Sequence, residues 1–414
     1  MRSTICNILH AAFIAPFTSL SLCIVYLGAF VSMTGITAVQ LFMVFDFASL
    51  GMWAVMEHFV VRSLFVSMMI MPLWLWLSTV MPFKNYAYLV LGAQVITGAM
   101  LFLVGQDAPV WMSTLLFSIS VSSYWTIFHL MMSFSVSDHN SANEVCMADA
   151  GVTAGVLLGS ILGGVALTYG LGVQTFIMGT VMMFIGTLIV SVLIYQKVQK
   201  GEFALRFLSE GEELSWRTVQ SQSKNIYSTA YEGAFQVVAD FLAPVWLKLM
   251  SVSALGVGIL SAAKIGLKLV VSPIVGHFAN QGSDSNATHS HDLEIGLALK
   301  CAGWVPWLFM QNPMLYAFSS LFWTGGQHFF SIGLASRWYK QRSVFKLAVR
   351  EFSLGLGRLT ATLVAVPLLY WSMHSYIVFS ILLSSMMLLT TSFSKNLAAA
   401  HMPTLFSRLR RNAV

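Results

Sequence analysis

Residues 173–196 read VQTFIMGTVMMFIGTLIVSVLIYQ, a stretch of 24 residues without a charged side chain. A helix rises about 1.5 Å per residue, so about 20 apolar residues cross the hydrocarbon core of a bilayer. The stretch therefore predicts a membrane-spanning helix. Similar apolar stretches recur from one end of the chain to the other, which argues against a single anchor on a water-soluble domain.

The composition of the whole chain supports the same interpretation. Of the 414 residues, 57% are hydrophobic and only 9% are charged, and the mean hydropathy is +0.76. Soluble domains carry about 25% charged residues, so we predict an all-α integral membrane protein. Apolar stretches predict seven spans before a polar central stretch and six after it. The predicted spans are 8–30, 35–57, 60–80, 86–106, 110–134, 146–169, 173–196, 225–250, 253–279, 293–310, 314–337, 346–371 and 375–395.

Lysine and arginine predict which side of the membrane the loops occupy. They are concentrated in the central stretch, in the turn 337–346 and in the carboxyl-terminal tail, and cytoplasmic loops are rich in these residues. The net charge of +6 therefore reflects topology and predicts no nucleic-acid partner. The predicted organisation is a hydrophobic segment with an additional helix (1–34), a six-helix bundle (35–196), a cytoplasmic central loop (197–224), a second six-helix bundle (225–396) and a basic cytoplasmic tail (397–414).

Three glycine-containing segments carry a family resemblance. Segment 155–164, GVLLGSILGG, is similar to the fifth-helix antiporter motif G-x-x-x-G-P-x-x-G-G of the major facilitator superfamily, with Ser160 in place of proline. Segment 276–282, GHFANQG, resembles the family's G-x-x-x-D-R-x-G loop without its charged pair, and 350–358, REFSLGLGR, resembles the start of its eleventh helix. Close helix packing by small residues is the alternative interpretation of the first motif. Its glycines are Gly155, Gly159, Gly163 and Gly164.

This resemblance implies two pseudo-symmetric six-helix bundles that alternate around a central cavity. It implies secondary transport of a small molecule by a monomer, coupled to a proton or another ion. A repeat between the two halves is indicated by an Asp-Phe pair at 46–47 and another at 240–241. Helical repeats of this kind place their binding sites near the middle of the membrane.

Ionisable residues inside spans are the candidate site residues, because a charge at the bilayer centre costs at least about 2.5–3.5 kcal/mol. Glu232, Gln236 and Asp240 recur every fourth residue and are expected to share one helix face. Lys264 and Lys268 are one turn apart on the next span, and we predict that Asp240 pairs with them. The full set of candidates for substrate binding or coupling is Asp46, Glu232, Gln236, Asp240, Lys264, Lys268, His328 and Arg358. A purely structural ion-pair network is the alternative.

The candidate charges favour a solute that bears an anionic group, with proton coupling at Asp46, Glu232 or Asp240. The glycine motif favours an efflux antiporter instead, and a non-transporting membrane assembly factor or sensor is a third hypothesis. No phosphate-binding loop or common hydrolase motif occurs, so neither an enzyme nor a cofactor or metal is expected. The short loops fit a bacterial inner membrane.

Overall fold

The computed structural model describes residues 20–104, 108–136, 141–201, 222–281, 289–309 and 312–386. These residues form helices joined by short turns. The helices are α1 (Leu20–Leu50), α2 (Met52–Val80), α3 (Phe83–Val104), α4 (Val110–Ser135), α5 (Ser141–Tyr169), α6 (Gly172–Gln199), α7 (Ser223–Gln236, Val237–Phe241 and Ala243–Leu249), α8 (Ala254–Gln281), α9 (His289–Trp304 with Val305–Leu308), α10 (Met314–Lys340), α11 (Val344–Trp371) and α12 (Met373–Met386). The predicted tail and most of the predicted central loop lie outside the described residues.

The helices form two bundles of six, with α1–α6 in the first and α7–α12 in the second. Within the first bundle α1 packs against α5 and α6, and within the second α7 packs against α11. The most extensive contacts between the bundles are those of α5 along α8 and of α2 along α11. Helix α10 also contacts α4 and α5, and α7 contacts α1. The predicted all-α fold of two six-helix bundles is therefore confirmed.

The first eighty residues depart from the predicted spans. The prediction placed a boundary at 31–34, but α1 runs through these residues without a break. The polar side chains there do not mark a loop, because Ser32 and Thr34 are fully buried and the Thr34 hydroxyl donates to the Phe30 carbonyl at 2.8 Å. The separation of 8–30 from 35–57 as two spans was therefore wrong.

The chain turns instead at Gly51, between α1 and α2. Gly51 has a φ of 103°, a conformation that glycine adopts at little cost. The described residues up to Val80 thus contain two helices where the prediction divided them among three. Residues 1–19, which hold the start of the first predicted span, lie outside the described residues.

Glycines of the 155–164 motif pack against two different neighbours. Gly159 and Gly163 face α1: a methyl group added at Gly159 would lie 2.5 Å from the Thr34 carbonyl oxygen. Gly155 contacts the same helix, one turn earlier. Gly164 faces the other bundle, where an added methyl group would lie 3.1 Å from the Ala254 carbonyl oxygen of α8. Small residues thus allow close backbone contact both within the first bundle and between the bundles.

Two helices contain π-helical turns, which hold one residue more than an α-helical turn. In α2 the π-helical segment is Ser63–Ile70. In α7 it is Val237–Phe241, and the Leu242 amide closes it by donating to the Val237 carbonyl at 3.0 Å. Pro244 follows and has no amide hydrogen to donate back along the helix. The π-helical segment and the proline that follows it make the backbone irregular in the middle of α7.

Seven of the described helices are long and apolar enough to cross a membrane, namely α1–α6 and α11. For α5 the apolar part begins at Glu144. Helices α7, α8 and α10 are not among these long apolar helices. Each of them contributes polar side chains to the cavity described next.

Candidate functional site

A cavity of about 410 Å³ lies between the two bundles. Its wall is formed by α1, α2, α4 and α5 of the first bundle and by α7, α8, α10 and α11 of the second. Small-molecule sites in proteins have volumes of about 300–1,000 Å³ and mostly apolar walls with a few polar groups. The ionisable and amide side chains in this wall are Gln40, Arg62, His129, Asp149, Glu232, Gln236, Asp240, Lys264, Lys268, Tyr316, Gln327, Tyr339, Arg350, Glu351 and Arg358.

Lys264 of α8 forms an ion pair with Asp240 of α7, as the sequence predicted. The Lys264 ammonium also donates to the Ala239 carbonyl at 2.8 Å. It lies 5.4 Å from the ring centre of Tyr316 and 5.5 Å from that of Trp323, within the range of cation–π attraction. The carbonyl is available because the π-helical turn of α7 interrupts the regular hydrogen bonding. Lys264 is thus held by a carboxylate, a backbone oxygen and two aromatic rings.

Lys268 pairs across the bundles. Its ammonium lies 3.0 Å from a carboxylate oxygen of Asp149 on α5. The sequence predicted an acid from the second bundle as its partner, and the observed partner belongs to the first. Asp149 was missed because it stands only three residues after the start of the predicted span 146–169, where a charge is ordinarily read as a loop residue. This pair links α5 to α8 at the side of the cavity.

A chain of hydrogen bonds runs through Glu232, Gln236 and Arg358. The Glu232 carboxylate accepts from the Gln236 amide and from the Gln327 amide, each at 3.3 Å. The Gln236 oxygen accepts from Arg358 Nη2 at 2.8 Å, and Arg358 Nη1 donates to the Ser67 hydroxyl of α2 at 2.7 Å. Four helices, α10, α7, α11 and α2, are therefore joined by one polar network.

A second network closes the cavity where α10 ends and α11 begins. His129 Nε2 of α4 lies 3.3 Å from the Glu351 carboxylate, and His129 Nδ1 shares a hydrogen bond of 2.6 Å with the Tyr339 hydroxyl. Glu351 also forms an ion pair with its neighbour Arg350. These four residues again connect the first bundle to the second. His129 was not among the predicted site residues, because its partners come from distant helices.

Arg62 of α2 lies in the cavity wall and was not among the predicted residues. Its guanidinium carbon lies 4.8 Å from the ring centre of Phe241, and its buried Nη1 has no hydrogen-bond partner. It was missed because it was assigned to the polar end of the predicted span 60–80. In the structure it occupies the eleventh position of a 29-residue helix.

Lys300 of α9 was also missed, and it lies outside the cavity wall. The side chain is fully buried, and its ammonium has no hydrogen-bond partner in the part of the chain that the structure describes. Three rings surround it, with centres 4.1 Å away for Phe235, 4.4 Å for Phe330 and 5.3 Å for Tyr231. A cage of aromatic faces is the usual protein environment for a cation without a carboxylate.

One predicted site residue, Asp46, is not part of the cavity wall. Asp46 lies four residues before the end of α1, so its predicted position at the middle of a span was wrong. The error follows from the misplaced span 35–57. The two Asp-Phe pairs are therefore not equivalent, because Asp240 lies in the middle of α7 and in the cavity wall. The side chain of His328 lies outside the described residues.

Comparisons with known proteins were made at the level of sequence and of structure. No protein-family model matches the chain, and no curated protein matches it. Solved structures of other proteins, in contrast, match the fold of this chain. The human organic anion transporter MFSD10 (TETRAN) superposes with a TM-score of 0.65 at 12% identity, over 90% of this chain and 98% of that chain.

Two further structures give similar values. A structure of the nucleoside transporter NupG has a TM-score of 0.60 at 12% identity, over 90% of this chain and 98% of that one. A POT family transporter in complex with 5-aminolevulinic acid has a TM-score of 0.65 at 10% identity, over 90% of this chain and 96% of that chain. Together with the apolar helices, these comparisons show a multi-pass integral membrane protein with the fold of the major facilitator superfamily.

Proposed function

We propose that this protein, a divergent chain with the major facilitator fold, is a secondary transporter for a small organic solute that bears an anionic group. The observation that supports this most strongly is the cavity between the bundles. Five cations and four carboxylates stand in its wall. The cations are Arg62, Lys264, Lys268, Arg350 and Arg358, and the carboxylates are Asp149, Glu232, Asp240 and Glu351. An excess of positive charge in a low-dielectric site favours an anionic ligand.

Alternating access is supported by the way the bundles meet. The seams between α5 and α8 and between α2 and α11 are long, and small residues such as Gly164 and Gly258 allow close approach there. Side chains form polar links between the bundles in the described residues, among them Lys268 to Asp149, Arg358 to Ser67 and His129 to Glu351. Lys248 and Tyr370 also donate to carbonyl oxygens of α1. Such links can break and form again as one bundle rocks against the other.

Glu232 is the proposed site of proton coupling. It is 5% exposed, lines the cavity and accepts hydrogen bonds only from amides. Within the described residues it has no ion-pair partner, whereas Asp240 is paired with Lys264. Glu232 can therefore take up a proton without leaving a lysine or arginine unpaired. Its bond to Gln236, which bonds Arg358, connects this proton to the positive charges of the cavity.

The coupling proposal is tested in proteoliposomes that contain a pH-sensitive dye. Unlabelled 5-aminolevulinate, benzoate and glutarate are added in turn, and proton movement is recorded together with exchange of the labelled compound. We expect Glu232→Gln to abolish proton movement and to retain exchange. Glu57→Gln serves as the control, because Glu57 is a carboxylate of α2 outside the cavity wall.

Two results would contradict the proposal. Full proton movement in the Glu232→Gln protein would show that another group carries the proton. A well-folded wild-type protein that takes up none of a broad set of solutes would favour the assembly-factor or sensor hypothesis. Solute transport that is faster outward than inward would identify the efflux antiporter.

A further inference from the structure

Arg62 and Arg358 face the same aromatic ring from opposite bundles. The guanidinium carbon of Arg62, on α2, lies 4.8 Å from the ring centre of Phe241, and that of Arg358, on α11, lies 5.4 Å from it. Phe241 is the last residue of the π-helical turn of α7. Its ring stacks in parallel on Phe59, with centres 6.2 Å apart. Two fixed positive charges are therefore gathered around one side chain.

Neither arginine has a carboxylate partner among the described residues. Arg358 donates to the neutral oxygens of Gln236 and Ser67, and Arg62 Nη1 is buried without a hydrogen-bond partner. The other three cations of the cavity wall differ in this respect, since each has an acid beside it. Two positive charges without ion-pair partners, at most about 10 Å apart in a low-dielectric environment, repel each other and cost free energy. An anionic group held between the two guanidinium groups would offset this repulsion.

We propose that the carboxylate of the transported solute binds between Arg62 and Arg358. This inference rests on the proposed transport function and deepens it. Arginine presents a planar fork of donors that matches the two oxygens of a carboxylate, so each guanidinium can donate to it in a bidentate manner. One carboxylate satisfies the free Nη1 of Arg62 and relieves the repulsion between the two cations.

The remaining wall defines the rest of the solute. The aromatic side chains Trp125, Phe128 and Phe235 line the same cavity. The lysines are already neutralised by Asp240 and Asp149, so a second anionic group on the solute would find no free cation there. The expected class is thus an organic monocarboxylate with an apolar or aromatic body.

The position of the two arginines also gives the anion a role in the transport cycle. Arg62 belongs to the first bundle and Arg358 to the second, so an anion between them cross-links the bundles through charge-assisted hydrogen bonds. Without it, their mutual repulsion favours separation at this level. Binding therefore stabilises the occluded arrangement, which is the behaviour that a carrier needs to couple binding to closure.

The experiment uses purified full-length protein and measures both ligand-induced change in melting temperature and uptake into proteoliposomes. The probes are benzoate, 4-phenylbutyrate and 5-aminolevulinate, with benzamide and 4-phenylbutyramide as neutral counterparts. The variants are Arg62→Gln, Arg358→Gln and Arg62→Lys, which keeps the charge and loses the fork. Lys84→Gln is the control, because Lys84 is an exposed cation of α3 outside the cavity wall.

We expect carboxylates, and not amides, to raise the melting temperature. The apparent Kd for the carboxylate should rise at least tenfold in Arg62→Gln and Arg358→Gln, less in Arg62→Lys, and not in Lys84→Gln. Arg62→Lys decides the question if Arg62→Gln does not fold. Unchanged carboxylate affinity in the folded Arg62 variants, or equal binding of amides, would refute the carboxylate site between Arg62 and Arg358. Continued uptake in that case would leave the transport proposal intact. If the wild-type protein neither binds nor takes up any probe, both the carboxylate site and the proposed anion transport are refuted.

Discussion

The glycine seam between α1 and α5 gives the sharpest prediction about stability. We expect Gly159→Ala to lower the stability of the protein, although alanine is the better helix former by about 1 kcal/mol. The new methyl carbon would lie 2.5 Å from the Thr34 carbonyl oxygen and 2.8 Å from the Thr37 Cβ. Both are far below ordinary van der Waals contact, and the nearer atom is backbone and cannot rotate away.

The size of the effect follows from the geometry. An ordinary contact of about 3.4 Å requires the two helices to part by roughly 0.9 Å, and the contacts along the whole seam weaken with distance. Overpacking of this kind costs about 1–3 kcal/mol, which exceeds the gain in helix propensity. The measurement is the melting temperature of the detergent-solubilised protein, followed by size-exclusion chromatography with fluorescence detection.

Gly92→Ala is the matched control, because Gly92 lies in the interior of α3 and no atom lies within 4 Å of its added methyl group. It should leave the melting temperature unchanged or raise it slightly. If Gly159→Ala melts together with Gly92→Ala and with the wild type, close packing of α1 on α5 does not contribute to stability. The glycines of the 155–164 motif that face α1 would then have no role in stability.

Two further predictions concern buried lysines. Asp240→Asn leaves Lys264 without its acid at a cost of about 3–5 kcal/mol, so the abundance of the protein should fall. The double variant with Lys264→Gln should recover that abundance. Equal abundance of the Asp240→Asn variant and the wild type would count against the pair. Lys300→Met should keep or raise the melting temperature, because the Lys300 ammonium has no hydrogen-bond partner and methionine also packs well against aromatic rings. A clear loss of stability in Lys300→Met would instead show that the ammonium itself holds the three rings together.

The fold could be predicted from the sequence because a bilayer imposes length and composition on every span. The residues of α7 and α8 could be found for a similar reason, since charges such as Asp240 and Lys264 stand out within apolar stretches. Arg62 and Asp149 could not be found in this way. They lie near the ends of predicted spans, and only the packing of one bundle on the other reveals that they reach the cavity.

The boundary errors near the amino end have a physical origin as well. Buried serine and threonine side chains bond to their own helix, so a polar dip such as 31–34 need not be a loop. The true turn at Gly51 depends on a backbone conformation that hydropathy does not detect. Asp46 was misplaced as a consequence, while its role in transport stays a prediction.

The extra residue in the π-helical turn of α7 sets the rotational register of everything that follows it. Each residue of an α-helix advances the chain by about 100°, so excision of one residue from 237–241 would swing the far part of α7 around its axis by roughly a quarter of a turn or more. Phe241 would leave the two guanidinium groups, and the Ala239 carbonyl would no longer meet Lys264. The chemistry of the cavity therefore depends on a count of residues as well as on their identity. Relatives that share these side chains and lack the insertion should recognise different solutes.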